Sequence, residues 1–211
     1  MSNFFEISCL RMTTLKNEGQ FAQKVYPPAS VFGGPGKFAF NPHEQIQLNK
    51  LKDYSEYQKK IMSEWGKYIV GNSYTLLEKS PPNLTKIWWL RLVFPNSKFI
   101  LLTRHPVVTS MATQKWSKTS LELLLQHWDV AYSKAYLDSN EEDTISIKYE
   151  DLCANPELIL KQIGEFTSLT IKNSIVDKEI KNSNDKYLSS LSEIPKRKGI
   201  WETFGYDLCK L

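Results

Sequence analysis

Residues 74–116, YTLLEKSPPNLTKIWWLRLVFPNSKFILLTRHPVVTSMATQKW, read as two successive units of strand, polar turn and helix. In the first, apolar Tyr74 to Leu77 run into Glu78-Lys79-Ser80-Pro81, and a helical pattern through Leu84, Ile87, Trp88, Leu90, Arg91 and Leu92 follows. In the second, Phe99 to Leu102 run into Thr103-Arg104-His105-Pro106. Proline in the first turn of a helix gives up an N–H that has no partner there anyway, so Pro81 and Pro106 mark helix starts. A cation precedes each start, Lys79 in one unit and Arg104 in the other. Free backbone amides, the positive end of the helix dipole and a neighbouring cation together suit a phosphate or sulfate ester. Both cations also fall at the C-terminal end of a strand, where open α/β sheets bind their ligands. Arg104 offers a planar donor fork suited to a phosphate, and Ser110 and Thr113 lie on the helix after it. Lys79 has the plainer alternative of being a solvated turn lysine.

The rest of the chain continues the alternation. Met1 to Pro42 is irregular, with the turn-rich segments VYPPAS and FGGPGK, and His43 to Val70 carries a long helical pattern that Gly71-Asn72 ends. Ser120 to Leu137 reads as an amphipathic helix, Thr144 to Lys148 as a strand, and Asn155-Pro156 as the opening of a helix whose Leu158, Ile159, Ile163 and Phe166 face the core. Strands alternating with helices argue for a parallel sheet with helices on its faces. The polar stretch Lys181 to Glu193 is expected to be a mobile loop. Pro195 to Leu211 is expected to return to the body through Trp201, Phe204 and Tyr206.

Composition narrows the function. A chain of 211 residues with 41% hydrophobic and 24% charged residues can bury one sizeable core, so a single domain over 1–211 is expected. A net charge of +4 suits an anionic ligand but falls short of a dedicated nucleic-acid arm. Cys9, Cys153 and Cys209 lie far apart, with no Cys-x-x-Cys and no histidine at ligand spacing, which argues against zinc and against a disulfide framework. A reducing, cytoplasmic setting fits best. No apolar run reaches the ~20 residues a membrane span needs.

Other motifs read as structural. Gly33-Gly34-Pro35-Gly36-Lys37 is followed by Phe38 where a phosphate-binding loop requires Ser or Thr, so it reads as a glycine-rich turn. His43, His105 and His127 are scattered, and His127 within LLLQHWD reads as a hydrogen-bonded helix residue. No Ser/His/Asp order or Cys/His pair supports nucleophilic hydrolysis. Trp88, Trp89 and Trp128 read as core packing or as the wall of an acceptor cleft.

Taken together, EKSPPNL, LRLVFPNSKFILLTRHPVVTS and the downstream YEDLCANPELILKQIGEFTSL resemble the sulfotransferases that use 3′-phosphoadenosine 5′-phosphosulfate (PAPS). NEGQF and VYPPASVFGGPGKFAF are similar to the N-terminal part of a bacterial-type branch, and IPKRKGIWETFGYDL to the basic segment that closes over the donor. The resemblance covers nearly the whole chain. It implies an α/β fold with a P-loop-NTPase-like parallel sheet flanked by helices, PAPS as co-substrate, no metal, and a hydroxyl-bearing acceptor on a carbohydrate, peptide or small metabolite. It also implies residue roles. Arg104 and Ser110 would bind the 3′-phosphate, with Lys198 and Gly199 joining from the closing segment; Lys79 would approach the sulfuryl group or the acceptor. Glu18 occupies a place like that of the glutamate base of tyrosylprotein-type members.

Two departures accompany the resemblance. Family members often carry a phosphate-binding serine at the place of Ala112, so Ser110 or Thr113 takes that part. The family also begins with a strand leading into a loop such as R-S-G-T-T. MSNFFEISCLRMTTLKNEGQ has no such loop, and Arg11-Met12-Thr13-Thr14 lacks its glycine. The expectation is therefore an N-terminally truncated fold without its first strand-loop-helix unit or its central strand, and with a sheet edge open to self-association or a partner chain. Two readings stand at this point: a sulfotransferase, and a catalytically inactive sulfotransferase-fold protein that binds an anionic ligand or a partner. A nucleotide kinase of related fold lacks a Walker A sequence and a clear magnesium carboxylate.

Overall fold

A computed structural model of the chain describes residues 7–10, 18–70, 75–170, 180–189 and 197–209. Its strands are β1 (Ile7–Leu10), β2 (Ile69–Val70), β3 (Thr75–Leu77), β4 (Phe99–Thr103) and β5 (Thr144–Lys148). Its helices are α1 (Pro42–Asn49), α2 (Tyr54–Trp65), α3 (Ile87–Val93), α4 (Pro106–Ser117), α5 (Leu121–Asp138), α6 (Tyr149–Ala154), α7 (Pro156–Thr167) and α8 (Asp185–Leu188).

Local signals set most of these boundaries. Pro81 opens a 3-10 turn over Pro81–Thr85 that leads into α3, Pro106 opens α4, and Pro156 opens α7. Ser120 caps α5 by accepting from the Leu123 amide at 3.3 Å. The expected helix from His43 to Val70 is instead two helices and a strand. Asp53 accepts from the Glu56 amide at 3.0 Å, a cap that starts α2 afresh after α1 has ended. Gly71-Asn72 lies outside the described residues.

β4 and β5 pair in parallel, with Phe99 opposite Thr144 and Thr103 opposite Lys148. Helices α4 and α5 pack on this pair through Leu101, Val107, Leu125, Trp128 and Tyr132, and Trp201 and Tyr206 of the terminal segment complete the same cluster. Each such apolar side chain contributes on the order of 1.5–3 kcal/mol by leaving water. On α7, Ile159 is buried but Leu158 is 54% exposed, so Leu158 does not face the core as expected. It stands one residue, about 100° of helix rotation, from the buried Ile159.

The expected continuous sheet divides in two, because β3 pairs with β1 rather than β4. β1 lies between β2, antiparallel, and β3, parallel, with Ile7 opposite Thr75 and Cys9 opposite both Leu77 and Val70. The N-terminal segment therefore does supply a strand, and a central one, contrary to the sequence expectation. ISCL has neither the length nor the alternation that announces a strand; its backbone partners decide the conformation. Arg11 to Thr14 lie outside the described residues. A second cluster, with Tyr26, Leu48, Ile61, Trp65, Trp89 and Val93, packs beside this sheet, and Phe99 touches both clusters. Of the three tryptophans singled out above, Trp89 is fully buried and Trp128 nearly so, while Trp88 is half-buried against the second cluster.

Candidate active site

The two cations stand where the sequence placed them, directly after β3 and β4, and each has built a separate cluster.

At the end of β3, Lys79 meets Glu18, with Nζ 3.5 Å from Oε1. The lysine side chain is 71% exposed and the glutamate 23%. The other Glu18 oxygen, Oε2, accepts from Nε2 of the Gln20 side chain at 2.5 Å. Gln20 is itself buried, and its Oε1 accepts from the Ala29 backbone at 2.8 Å. Glu78, next to Lys79, turns the other way and accepts from the Gly19 backbone at 2.9 Å, from the Ser80 hydroxyl at 2.5 Å and from the Asn83 amide.

At the end of β4, Arg104 lies with its guanidinium carbon 4.5 Å from the Tyr149 ring centroid and 5.7 Å from that of Tyr187. Its Nε donates to Asn184 Oδ1 at 2.9 Å and its Nη2 to the Ser183 hydroxyl at 3.0 Å. Both partners are neutral, and among the described residues Arg104 has no ion-pair partner. The expected mobile loop at Lys181 to Glu193 is thus, in its described part, an ordered strap that ends in α8 and buries Asn184 against Arg104. Residues 190–193 lie outside the described residues.

Glu150 organises this second cluster. It accepts from the His105 backbone at 3.0 Å, the Asn184 amide at 2.7 Å and the Tyr206 hydroxyl at 2.8 Å. Burial works to raise its pKa, but these hydrogen bonds outweigh it and hold the carboxyl below its usual value. Burial and the same carboxylate push the Tyr206 phenol up, so it remains a donor.

Ser110 is 2% exposed on α4, and its hydroxyl has no partner among the described residues. No hydrogen bond joins it to Arg104. Its alternative, Thr113, gives its hydroxyl to the Thr109 carbonyl at 2.8 Å. Lys198 is exposed, and among the described residues no hydrogen bond links it or Gly199 to Arg104. Gly199 sits where a Cβ would lie 2.6 Å from Asp129 Oδ1, while Asp129 accepts from the Ile200 amide at 2.7 Å; this pins the start of the terminal segment to α5. Glu18 and Lys79 share no hydrogen bond with Arg104.

Sequence reasoning missed Glu78, Tyr149 and Glu150. Tyr149 and Glu150 directly follow β5 at its C-terminal end, the same kind of place that Lys79 and Arg104 hold after β3 and β4. His127 is structural: its Nε2 accepts from the Ala39 backbone at 3.2 Å, and burial pushes its pKa down to about 4. The glycine-rich turn holds Gly33, Gly34 and Gly36 at positive φ, as a turn of this kind requires. Among the described residues, no helix is long and apolar enough to cross a membrane.

The fold matches a known architecture. The solved sulfotransferase domain from the curacin biosynthetic pathway aligns with a TM-score of 0.53 at 18% identity, covering 78% of this chain and 74% of that one. The sulfotransferase domain of the Synechococcus PCC 7002 olefin synthase aligns at 0.48 and 17%, covering 78% and 70%. At these identities the first likeness speaks for the fold. The sequence itself matches the model of the sulfotransferase family over residues 15–173, a span that holds Glu18, Lys79, Arg104 and Glu150 but not the Ser183–Asn184 strap or the terminal segment, and the chain belongs to that family.

Proposed function

We propose that the chain transfers a sulfuryl group from PAPS to a hydroxyl on a carbohydrate, peptide or small metabolite. The observation that carries this reading is the Arg104 guanidinium, which among the described residues has no ion-pair partner, lies against Tyr149 and stands at the C-terminal end of a parallel strand. A guanidinium so placed attracts a phosphate, and neutral Ser183 and Asn184 can yield their hydrogen bonds to it at modest cost. Ser110 supplies a buried hydroxyl in search of an acceptor, and Lys198 and Gly199 join from the terminal segment.

The Glu18–Lys79 pair supplies the chemistry. Glu18 takes the proton of the acceptor hydroxyl as its oxygen bonds to sulfur. Lys79 stabilises the charge that passes to the leaving phosphate oxygen as the S–O bond breaks. The products are a sulfate ester and 3′-phosphoadenosine 5′-phosphate, with the proton left on Glu18. Lys79 and Glu18 hold each other in place until the donor arrives.

Calorimetry with 3′-phosphoadenosine 5′-phosphate tests the donor half. The expected result is binding that weakens by about 10- to 100-fold in Arg104→Ala. PAPS turnover with phenol, a tyrosine peptide and N-acetylglucosamine tests the transfer, and Glu18→Gln should lower kcat by about 100-fold or more. A folded chain that binds no nucleotide at millimolar concentration rules the reading out.

A further inference from the structure

Glu78 is a carboxylate with no ion-pair partner among the described residues, yet it collects three donors. Its Oε1 accepts from the Gly19 amide at 2.9 Å and the Ser80 hydroxyl at 2.5 Å, and its Oε2 from the Asn83 amide. The Gly19 amide belongs to the peptide bond that begins at Glu18. On the other side of Gly19, its carbonyl accepts from the Trp65 indole at 2.9 Å, and Trp65 is anchored in the core at 4% exposure. Gly19 has no room for a side chain: a Cβ would lie 2.7 Å from Glu78 Cγ and 2.8 Å from the Trp65 ring. The backbone that carries Glu18 is therefore gripped from both sides.

The same carboxylate governs Lys79, its neighbour in sequence. With Glu78 turned inward by three hydrogen bonds, Lys79 is turned out toward Glu18 at 3.5 Å. Ser80 extends the grip, since its hydroxyl also lies 3.5 Å from the backbone N–H of Gln20, whose side-chain amide in turn donates to the Glu18 carboxylate. We infer that Glu78 is a positioning residue, which sets the base Glu18 and the cation Lys79 in register without touching the reacting groups. This rests on the roles given to Glu18 and Lys79 above.

Geometric control of this kind has a recognisable kinetic signature. Misplacing a reacting group by about 1 Å can cost about 100-fold in rate. The donor site at Arg104 shares no hydrogen bond with Glu18 or Lys79, so its affinity should not follow. With PAPS and phenol as probes, Glu78→Ala should lower kcat by about 100-fold, and Glu78→Gln, which keeps one acceptor oxygen for Gly19, by about tenfold. The KM for PAPS and the Kd for 3′-phosphoadenosine 5′-phosphate should stay within about twofold of the wild type in Glu78→Gln. Asn83→Ala removes one donor at a half-buried site and serves if Glu78→Ala does not fold; it should lower kcat by a few-fold. Independently of turnover, the Gly19 amide should exchange with solvent about tenfold faster in Glu78→Gln than in the native chain.

The outcomes separate the two claims. A Glu18→Gln variant that loses kcat while Glu78→Gln keeps both its rate and its slow Gly19 exchange overturns the positioning role and leaves the base standing. Loss of kcat in Glu78→Gln together with a weakened nucleotide Kd marks a general structural role and overturns the inference as well. A Glu18→Gln variant at the wild-type rate, or a wild-type chain that does not turn over PAPS, overturns both.

Discussion

The Nε of Arg104 donates to Oδ1 of Asn184 at 2.9 Å, while the amide nitrogen of the same asparagine donates to Glu150 at 2.7 Å. One neutral side chain thus stands between the guanidinium and the carboxylate that would otherwise compensate it. Asn184→Asp places an anion against Arg104 and two carboxylates against each other. Charge-assisted hydrogen bonds are about twice as strong as neutral ones, so binding of 3′-phosphoadenosine 5′-phosphate should weaken at least about tenfold. The variant's loss of Tm relative to the native chain should also be larger at neutral pH than in acid, where a shared proton relieves the repulsion between the two carboxylates. Calorimetry and a melt at both pH values check this; an unchanged affinity would show that the guanidinium does not meet the ligand.

The contrast between what could and could not be read from the sequence follows from the range of the interactions. Pro81, Pro106 and Pro156 mark helical starts because the missing N–H acts within one turn, and Thr144–Lys148 is a strand by its own residues. The break before Tyr54 was also local, since Asp53 followed three residues later by Glu56 is a capping signal that the apolar periodicity masked. β1 is different, because its hydrogen bonds come from residues around 70 and 75. The site divides the same way. Lys79 and Arg104 are legible from strand ends, whereas Glu78 and Glu150 acquire their roles from donors on remote segments, Gly19 and Tyr206 among them.

Lys86 and Glu44 form an ion pair at 1% and 2% side-chain exposure, joined across 42 positions and supported by the Thr85 hydroxyl at 3.0 Å from the other Glu44 oxygen. Burial works to lower the Lys86 pKa, and Glu44 opposes it. Removing one partner leaves a buried charge alone, so Glu44→Ala should cost about 3–5 kcal/mol. The double variant Glu44→Leu with Lys86→Met should recover most of that loss, because an apolar pair of similar volume avoids desolvating two charges. Urea unfolding of the set measures both values.

His127 makes an acid-sensitive element outside the site. It lies edge-on to Phe38 at 4.6 Å and Phe40 at 5.4 Å between ring centroids, and burial holds its pKa at about 4 against 6.5 in the open chain. The unfolded chain therefore binds the extra proton first as pH falls. The neutral imidazole's contribution is fully present above pH 6.5 and is lost progressively down to about 4. The whole shift corresponds to about 3 kcal/mol. His127→Gln keeps an acceptor for the Ala39 amide and cannot titrate, so its Tm should change less than that of the native chain between pH 7 and 5.

Gly34 and Gly36 separate backbone strain from crowding within a single turn. Both are in the left-handed region, at φ +72 and +74, so alanine at either place costs about 1–2 kcal/mol from the backbone alone. At Gly34 nothing lies within 4 Å of an added Cβ, and the backbone cost should be the whole effect. At Gly36 the Cβ would overlap Leu124 Cδ2 and come 3.3 Å from Thr113 Cγ2, and Leu124 is buried in α5 at 2% exposure. Overpacking of that kind adds about 1–3 kcal/mol. Gly36→Ala should therefore melt below Gly34→Ala. Trimming the neighbour tests the cause, because Leu124→Ala should be less damaging in the Gly36→Ala background than in the native chain; equal penalties in both backgrounds would mean that the glycine is required for its conformation and not for its space.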